Sequence, residues 1–513
     1  MHVSTSPAVA YGAAAISAAA WGLALGYGAG LLAWVAFVPL WEAWRRTTVP
    51  PKQVLTHVLG PSLLAYGGAF LVAYPWVGAH ATASGTQAGL SALVILSTLY
   101  SLPLAAGARL ALQGQYRTGI AVWAGSWMLV DLLLQHGSWA FPWALAAHAI
   151  VDSPGTYTLV RLGGPLAGTA AIGAFHAVCL ATLRAFTLAS AGTRRRLAVG
   201  AGLVLALLGL LLIQDRSSLP SSASVQKPAS VSWVVQPDVA PAAWAEARNP
   251  LRKERLAALT QAALDTASVR PDLVVWPETA LHPPDTVGMQ ATVDRWGAAV
   301  LTGAVLPAGA SHARHYQTNT ALLYRPRHSV QRYDKHHLVP FAEAVPGASS
   351  WQALQRLAMA SPDSRAYVPG SGPTTFSHDA FSFVPLICFE SLAAPFTAQL
   401  GSDMPTTQAF ITLSQTGWWG RALPAQQHVR YSRLRAMETG RPLLVASVSG
   451  PTTLIGPLGT PTALTPFGEA AVVPVHWPAP HPPGWYARTA PYIDIAWTAI
   501  ALFLVCVPIR QLF

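Results

Sequence analysis

Eight long apolar runs punctuate the chain, at 8–22, 23–41, 54–77, 88–108, 118–136, 163–189, 195–213 and 490–509. A helix needs about 20 apolar residues to cross a bilayer core. The pattern therefore predicts about eight transmembrane spans, the first two forming a short-looped hairpin. Residues 1–7 carry no basic stretch, so no cleaved leader is expected there. After the seventh run the pattern changes. Residues 214–230 are polar and Ser-rich and read as a linker. From 231 onward, short β-branched and aromatic runs predict strands at 231–236, 273–276, 298–306, 381–387, 409–413, 443–448, 453–455 and 471–475. Two more, 318–324 and 330–333, read as a hairpin around 325–328. Helices are expected at 250–267, with Leu251, Leu256, Leu259 and Ala263 on one side, and at 426–440. Strands interspersed with helices over this length make one α/β or α+β domain. The expected organisation is a membrane domain of about seven helices over 1–213, a linker over 214–230, a soluble domain over 231–489 and a C-terminal transmembrane helix over 490–513.

Composition supports the membrane reading. Hydrophobic residues make up 52% of the 513 and charged residues only 10%, against roughly 25% charged in a soluble domain. The basic residues orient the spans. With the N-terminus in the cytoplasm, ten fall inside: Arg45, Arg46, Lys52, Arg109, Arg117, Arg184, Arg194, Arg195, Arg196 and Arg510. The outer loops between spans carry one, Arg161. Positive charge concentrates in cytoplasmic loops, so residues 214–489 are expected on the outer face. That segment holds 21 Lys and Arg against 17 Asp and Glu, a net +4 of the chain's +11. The basic balance is thus largely the orientation signature, and no nucleic-acid partner is implied. Asp131 and His136 lie within or at the outer end of the fifth run. Intramembrane ionisable groups are functional candidates, with solvation at the interface as the alternative. Trp139, Phe141, Pro142 and Trp143 follow and read as interfacial belt residues rather than as a lipid gate.

Three places in the soluble part carry candidate chemistry. Of three cysteines, Cys179 and Cys506 sit in apolar runs, which leaves Cys388 as the one thiol there, without a disulfide partner. It ends the run 381–387 and is followed at once by Phe389-Glu390. A buried structural cysteine is the competing reading. Glu278 closes a strand in Val-Val-Trp-Pro-Glu-Thr, where a carboxylate is a turn residue or a partly desolvated base. Lys335 leaves a strand in Tyr333-Asp334-Lys335-His336-His337-Leu338-Val339-Pro340-Phe341-Ala342-Glu343. His336 and His337 beside it offer a rival Cys-His pair. A metal site is not expected, since no carboxylate or thiol stands at ligand spacing near them.

The order Glu, then Lys in a K-x-H-L-V-P-F-x-E string, then C-x-E at a strand end, resembles the nitrilase superfamily. The whole arrangement, with N-terminal spans, an outer nitrilase-like domain and one C-terminal span, resembles the apolipoprotein N-acyltransferase family. The resemblance implies a polytopic α-helical membrane protein carrying an extracytoplasmic α-β-β-α sandwich, in a bacterial inner membrane. By motif it implies Glu278 as base, Lys335 as oxyanion stabiliser and Cys388 as nucleophile. Glu343, Glu390 and Asn319 would support them, and Trp244, Phe389, Trp418 and Trp419 would line the substrate site. The segments Arg433-Leu434-Arg435-Ala436-Met437-Glu438-Thr439-Gly440-Arg441-Pro442 and Leu32-Ala33-Trp34-Val35-Ala36-Phe37-Val38-Pro39-Leu40 are family-like too.

Where the family commonly shows Ser-Asn-Asp-x-Trp-Phe-Gly, this chain has Ser414-Gln415-Thr416-Gly417-Trp418-Trp419-Gly420. Phe389 replaces a common tyrosine, and Val445-Ala446-Ser447-Val448-Ser449-Gly450 replaces Arg-Ala-x-Asn-x-Gly. These departures flank the Glu, Lys and Cys. The implied activity is transfer of an acyl chain from a phospholipid donor, through a Cys thioester, to the amine of a diacylated lipoprotein acceptor. It needs no cofactor, and the chain is expected to act as a monomer. A membrane-tethered amidase using water, a silent lipoprotein-binding relative and a transporter are the alternatives. The last is disfavoured because the spans show no internal repeat.

Overall fold

The computed structural model describes residues 7–46, 53–79, 83–137, 139–188, 230–240, 243–244, 251–309, 316–340, 342–344, 367–417 and 420–510. Its N-terminal part is helical: α1 (Pro7–Tyr27), α2 (Gly30–Ala33), α3 (Val38–Arg45), α4 (Gly60–Ala73), α5 (Ala83–Leu112), α6 (Tyr116–Gln135) and α7 (Thr156–Leu188), the last broken at Gly163 and Gly164. Six helices among the described residues are long and apolar enough to cross a membrane; five are here and the sixth is at the C-terminus. The runs 8–22 and 23–41 do not make two spanning helices. The first helix continues to Tyr27, the chain turns at Gly28 (φ 82°), and two short helices follow. The expected span at 195–213 lies outside the described residues.

Helices in this part meet through small residues, which let backbones approach. At the α5–α6 crossing, a β-carbon on Gly107 would lie 2.4 Å from the Gly119 carbonyl, and one on Gly119 would lie 2.3 Å from that of Gly107. Asp131 is a tie within the bundle. It accepts from Tyr100 Oη (2.6 Å), Thr169 Oγ1 (2.5 Å) and the Ala146 amide (3.1 Å). His136 Nε2 lies 3.3 Å from Asp494.

Among the described residues the second part has twelve strands: β1 (Ser232–Gln236), β2 (Leu273–Val275), β3 (Ala299–Pro307), β4 (Gln317–Tyr324), β5 (Gln331–Asp334), β6 (Phe376–His378), β7 (Phe381–Ile387), β8 (Ala409–Ser414), β9 (Leu443–Ser447), β10 (Thr453–Ile455), β11 (Pro461–Ala463) and β12 (Ala471–Val475). They form two six-stranded sheets, ordered β12-β1-β2-β3-β4-β5 and β11-β10-β9-β8-β7-β6. The expected hairpin is present, with Thr320 opposite Asp334 and Leu323 opposite Gln331.

Helices cover both outer faces: α8 (Leu251–Thr266), α9 (Pro283–Thr286) and α10 (Met289–Trp296) on one side, α11 (Ala394–Asp403) and α12 (Ala422–Thr439) on the other. Side-chain alternation along each strand makes the layers. In β7, Phe383 and Ile387 point to the core between the sheets, with Leu273, Leu301, Leu413 and Leu444. Val384 and Leu386 point outward, under Phe396 and Leu400 of α11. Burial on both faces explains why this run is continuously apolar. On the other side Leu256, Met289, Val293 and Trp296 cover Val274, Trp276 and Val300.

The chain ends in α13 (Trp485–Arg510), which packs on α6 and α7. Helix α12 joins the two parts. Gln427 Nε2 donates to the Gly26 and Ala73 carbonyls, and Trp76 Nε1 donates to Gln427 Oε1. Arg430 donates to the carbonyls of Ala24, Leu25 and His148 and to Asp152, which Arg433 also engages. These contacts are at the Tyr27 and Ala73 ends of α1 and α4. Arg184, over the Tyr116 ring at 5.9 Å, marks the opposite end of the bundle.

The aromatics after α6 behave differently from a belt. Phe141 stacks on Phe389 (5.6 Å, 30°), and Trp143 packs against His428 (6.1 Å, 22°) and Tyr431 (5.9 Å, 82°). Both rings have protein partners because α12 and the segment after β7 come down onto them. Trp139 remains half exposed.

Candidate active site

In open α/β sheets, ligands bind beyond the carboxyl ends of the parallel strands. Strands β1, β2 and β3 run parallel, as do β7, β8 and β9. Glu278 follows β2, Lys335 follows β5, Cys388 follows β7 and Gln415 follows β8. Two hairpin reversals at β3–β4 and β4–β5 bring the end of β5 back to the same edge. Folding thus collects three residues that are 57 and 53 positions apart in the chain.

Glu278 is buried, 6% exposed. Its Oε1 accepts from Asn319 Nδ2 (2.8 Å) and its Oε2 from the Gln415 amide (2.8 Å). Burial raises its pKa; Lys335 opposes this, the Glu343 charge adds to it, and the two hydrogen bonds oppose it. The net shift is upward, as a general base near neutrality requires. The turn carrying it is tightly specified. Thr279 holds φ 51°, a conformation uncommon for a branched residue. Gly303 of β3 passes directly beneath: a β-carbon there would lie 2.5 Å from the Thr279 nitrogen and 2.6 Å from Glu278 Cα. Trp244 secures the other side, its indole N–H donating to Thr279 Oγ1 (2.8 Å) and the Glu278 carbonyl (3.2 Å). That ring is 1% exposed, so its polar edge is committed to the turn.

Lys335 is 1% exposed and donates to Glu343 Oε1 (2.8 Å), while Glu343 Oε2 accepts the Val339 amide (2.8 Å). Burial alone would lower the lysine pKa, but the neighbouring acidic groups, Glu343 foremost, outweigh it and the net shift is upward. The ammonium therefore stays charged within reach of the base and thiol fields. Asn319 couples the two: its side chain holds Glu278 and its carbonyl accepts the Lys335 amide (2.8 Å).

Cys388 opens a short 3-10 turn, Cys388–Leu392, at φ 50°. Such strain persists only where the surroundings over-determine it. Glu390 supplies much of that determination. Its Oε2 accepts the Ile387 amide (2.8 Å), and its Oε1 accepts Tyr333 Oη (2.6 Å) and the amides of His336 (2.8 Å) and His337 (3.0 Å). It binds the Cys388 turn to the lysine loop. The sulfur accepts a weak hydrogen bond from Ser414 Oγ (3.8 Å). Burial, then the Glu278 charge, push the thiol up to about 12 against the pull of Lys335. At rest it is a neutral thiol beside a carboxylate.

The Cys-His alternative does not find its geometry. His336 Nδ1 is paired with the Gly370 carbonyl (2.8 Å), and the His337 ring packs on Phe396 (4.6 Å). Their contribution to the site is through backbone amides. Of the residues expected to line the substrate site, Phe389 is buried against Phe141, whereas Trp418 and Trp419 lie outside the described residues. Gln415, at a position of departure from the family pattern, gives Glu278 its amide and turns its own Oε1 to the Gly417 amide (3.0 Å).

Two residues were missed in the sequence. His428 of α12 reaches the Cys388 carbonyl (3.1 Å). Tyr367, held by the Glu343 carbonyl through its amide (3.1 Å), lies in the fields of Glu343, Glu278 and Lys335. Neither stands in a local motif; both are brought in from remote elements.

Both parts of the chain are similar to known proteins. Residues 17–179 match the family model of the apolipoprotein N-acyltransferase N-terminal domain, and residues 234–476 match that of carbon-nitrogen hydrolases. An apolipoprotein N-acyltransferase of Brucella suis is 29% identical over 387 residues, covering 71% of this chain and 69% of its own. One from Bordetella bronchiseptica is 31% identical over 387 residues, covering 69% of this chain and 67% of its own. An amidase from Nesterenkonia sp. superposes over 54% of this chain and all of its own, at 15% identity and a TM-score of 0.37. With both halves matched in order, and the Bordetella relative aligned over two thirds of its length, this chain belongs to the apolipoprotein N-acyltransferase family.

Proposed function

We propose that this protein transfers an acyl chain from a membrane phospholipid, through a thioester on Cys388, to the α-amine of a diacylglyceryl-cysteine lipoprotein. The observation that carries the reading is the buried cluster of a neutral thiol, a raised carboxylate and a charged lysine at one sheet edge. Glu278 takes the thiol proton as sulfur attacks the ester carbonyl. Lys335 faces the charge that develops on the carbonyl oxygen. The Phe389 amide is a second donor, since the first N–H groups of a helix have no partner within it. Collapse of the tetrahedral adduct expels the lysophospholipid alkoxide, which takes the proton from Glu278. In the second half the amine attacks the thioester, Glu278 accepts the amine proton, and the thiolate leaves and is reprotonated.

A transferase must hold its thioester until the acceptor arrives, and a closed site prevents hydrolysis of reactive intermediates. Phe389 and Leu392 pack with Phe141, Trp143, Val339 and Tyr431 beside the nucleophile. Purified protein given phospholipid alone should accumulate an acyl adduct on the Cys388 peptide, read by mass spectrometry, with one equivalent of lysophospholipid and little fatty acid. A diacylated lipopeptide with a free amine should discharge it, and the blocked peptide should not. Steady fatty-acid release without acceptor would make the protein a hydrolase instead.

The catalytic domain is placed on the outer face of a bacterial inner membrane. Support comes from Arg184 lying at the bundle end remote from α12, together with the inside bias of basic residues. Val287, 77% exposed in the catalytic domain, and Gln113, in the turn after α5, test it. In intact spheroplasts a membrane-impermeant maleimide should label Val287→Cys and spare Gln113→Cys. The reverse pattern would invert the topology.

A further inference from the structure

The mechanism above leaves His428 without a task, yet it is buried against the nucleophile. Its Nε2 lies 3.1 Å from the Cys388 carbonyl and 3.1 Å from Ser391 Oγ. Ser391 Oγ donates to the same carbonyl (3.0 Å) and meets Ser432 Oγ (2.9 Å), whose hydroxyl donates to the His428 carbonyl (2.9 Å). A carbonyl only accepts, so the network assigns the imidazole hydrogen to Nε2. Burial, partly offset by the Cys388 carbonyl and reinforced by Lys335, holds the imidazole down to about 4, so the ring is neutral. On its other side stands Trp143, near-parallel at 6.1 Å. Trp143 belongs to the membrane part, where its carbonyl accepts Tyr74 Oη (3.3 Å) and pairs with His148 Nδ1 (3.0 Å).

The consequence follows from peptide planarity. The Cys388 carbonyl and the Phe389 N–H belong to one rigid plane, so holding the oxygen aims the N–H. Cys388 sits at φ 50°, so this plane needs outside support to stay put. Phe141, from the same loop as Trp143, stacks on the Phe389 ring. The membrane part thus grips the nucleophile peptide at two neighbouring points.

We propose that His428 is a positioning residue: its Nε2–H fixes the Cys388–Phe389 peptide so that thiol and Phe389 N–H address one acyl carbonyl, and Trp143 of the membrane part fixes the imidazole. The inference rests on the acyl-transfer reading. It makes the membrane domain part of the catalytic geometry, beyond anchoring.

The test uses full-length protein with phospholipid and no acceptor, following single-turnover adduct formation on Cys388. Iodoacetamide alkylation of the same thiol reports its accessibility independently. His428→Ala should slow adduct formation about 10- to 100-fold at unchanged half-saturating phospholipid, the scale of a small misplacement. His428→Gln, whose amide nitrogen reaches the position of Nε2, should stay within about fivefold of wild type, and the shorter His428→Asn should not. Trp143→Ala should be slowed about 3- to 10-fold and Trp143→Phe largely restored. Gln as slow as Ala would show that the ring itself acts, and would overturn the proposal, as would Ala at the wild-type rate or an effect on half-saturation alone. If His428→Ala fails to accumulate in membranes, the Gln and Asn pair decides. A wild type that is alkylated but never acylated would sink the transfer reading and this inference with it. Acylated wild type with equal rates in all variants would sink the inference alone.

Discussion

Cys388→Ala and Glu278→Gln should each lower acyl transfer by about 10⁴-fold or more, with the double variant scarcely worse than either single one, because residues acting as a unit are not additive. The thiol is held up to about 12, chiefly by burial and the Glu278 charge. Almost none is thiolate at neutral pH, so attack depends on proton removal at the moment of reaction. Glu278 is the carboxylate whose charge the thiol feels most, ahead of Glu343, and its oxygens are aimed by Asn319 and the Gln415 amide. Gln keeps the shape and loses the base. The sign of the pH effect follows: the base works deprotonated and its pKa is raised. Activity should therefore fall as pH drops, starting above the ordinary carboxylate range, and Glu278→Gln should abolish that limb. The measurement is adduct formation against pH by intact-mass spectrometry. An unaltered limb in Glu278→Gln would assign the base elsewhere.

Lys335→Ala should carry two penalties at once. Loss of one oxyanion donor costs about 10²- to 10³-fold in kcat. Removing one partner of a buried ion pair also destabilises, by about 3–5 kcal/mol. Lys335 is 1% exposed and its partner Glu343 14%, so Glu343 would be left largely desolvated beside Glu278. The double variant Lys335→Met with Glu343→Gln should recover stability without recovering turnover, which separates the two effects. His337→Ala is the comparison: its amide, not its ring, serves Glu390, so it should retain activity. Near-normal turnover in Lys335→Ala, or total loss in His337→Ala, would reverse these assignments.

Much of the catalytic fold was legible because its strands are local signals. The runs at 231–236, 381–387 and 471–475 announce themselves by β-branched and aromatic content, and each became a strand within a residue or two. Short elements escaped. Strands β6 (Phe-Ser-His) and β11 (Pro-Thr-Ala) lack the β-branched apolar content that marked the equally short β2 and β10. Helix α10 was missed although Met289, Val293 and Trp296 stand at helical spacing between Gly288 and Gly297, both at positive φ. Its caps were readable signals. In the membrane part, 8–22 and 23–41 looked like two spans because hydropathy reports burial and not continuity. The break that matters lies at Gly28, where positive φ ends α1.

What the sequence determined by itself is which groups are candidates and their order. Glu278 and Cys388 follow hydrophobic strands and Lys335 follows the short polar strand Gln331–Asp334 within a recognisable string, and a charged residue or thiol in such a place is unusual enough to be noticed locally. The excess of apolar runs and the placement of basic residues likewise set the membrane class, because transfer of charge into lipid is costly at any position. Only the tertiary structure decided what holds these groups. Asn319 joins Glu278 to Lys335, Glu390 binds the Cys388 turn to the lysine loop, and Trp244 and Gly303 clasp the Glu278 turn. Phe141 and Trp143 looked like belt aromatics until Phe389, after β7, and α12 gave them partners. These contacts join residues tens to hundreds of positions apart, and hydrogen bonds and ring packing act over a few ångströms of space whatever the separation along the chain.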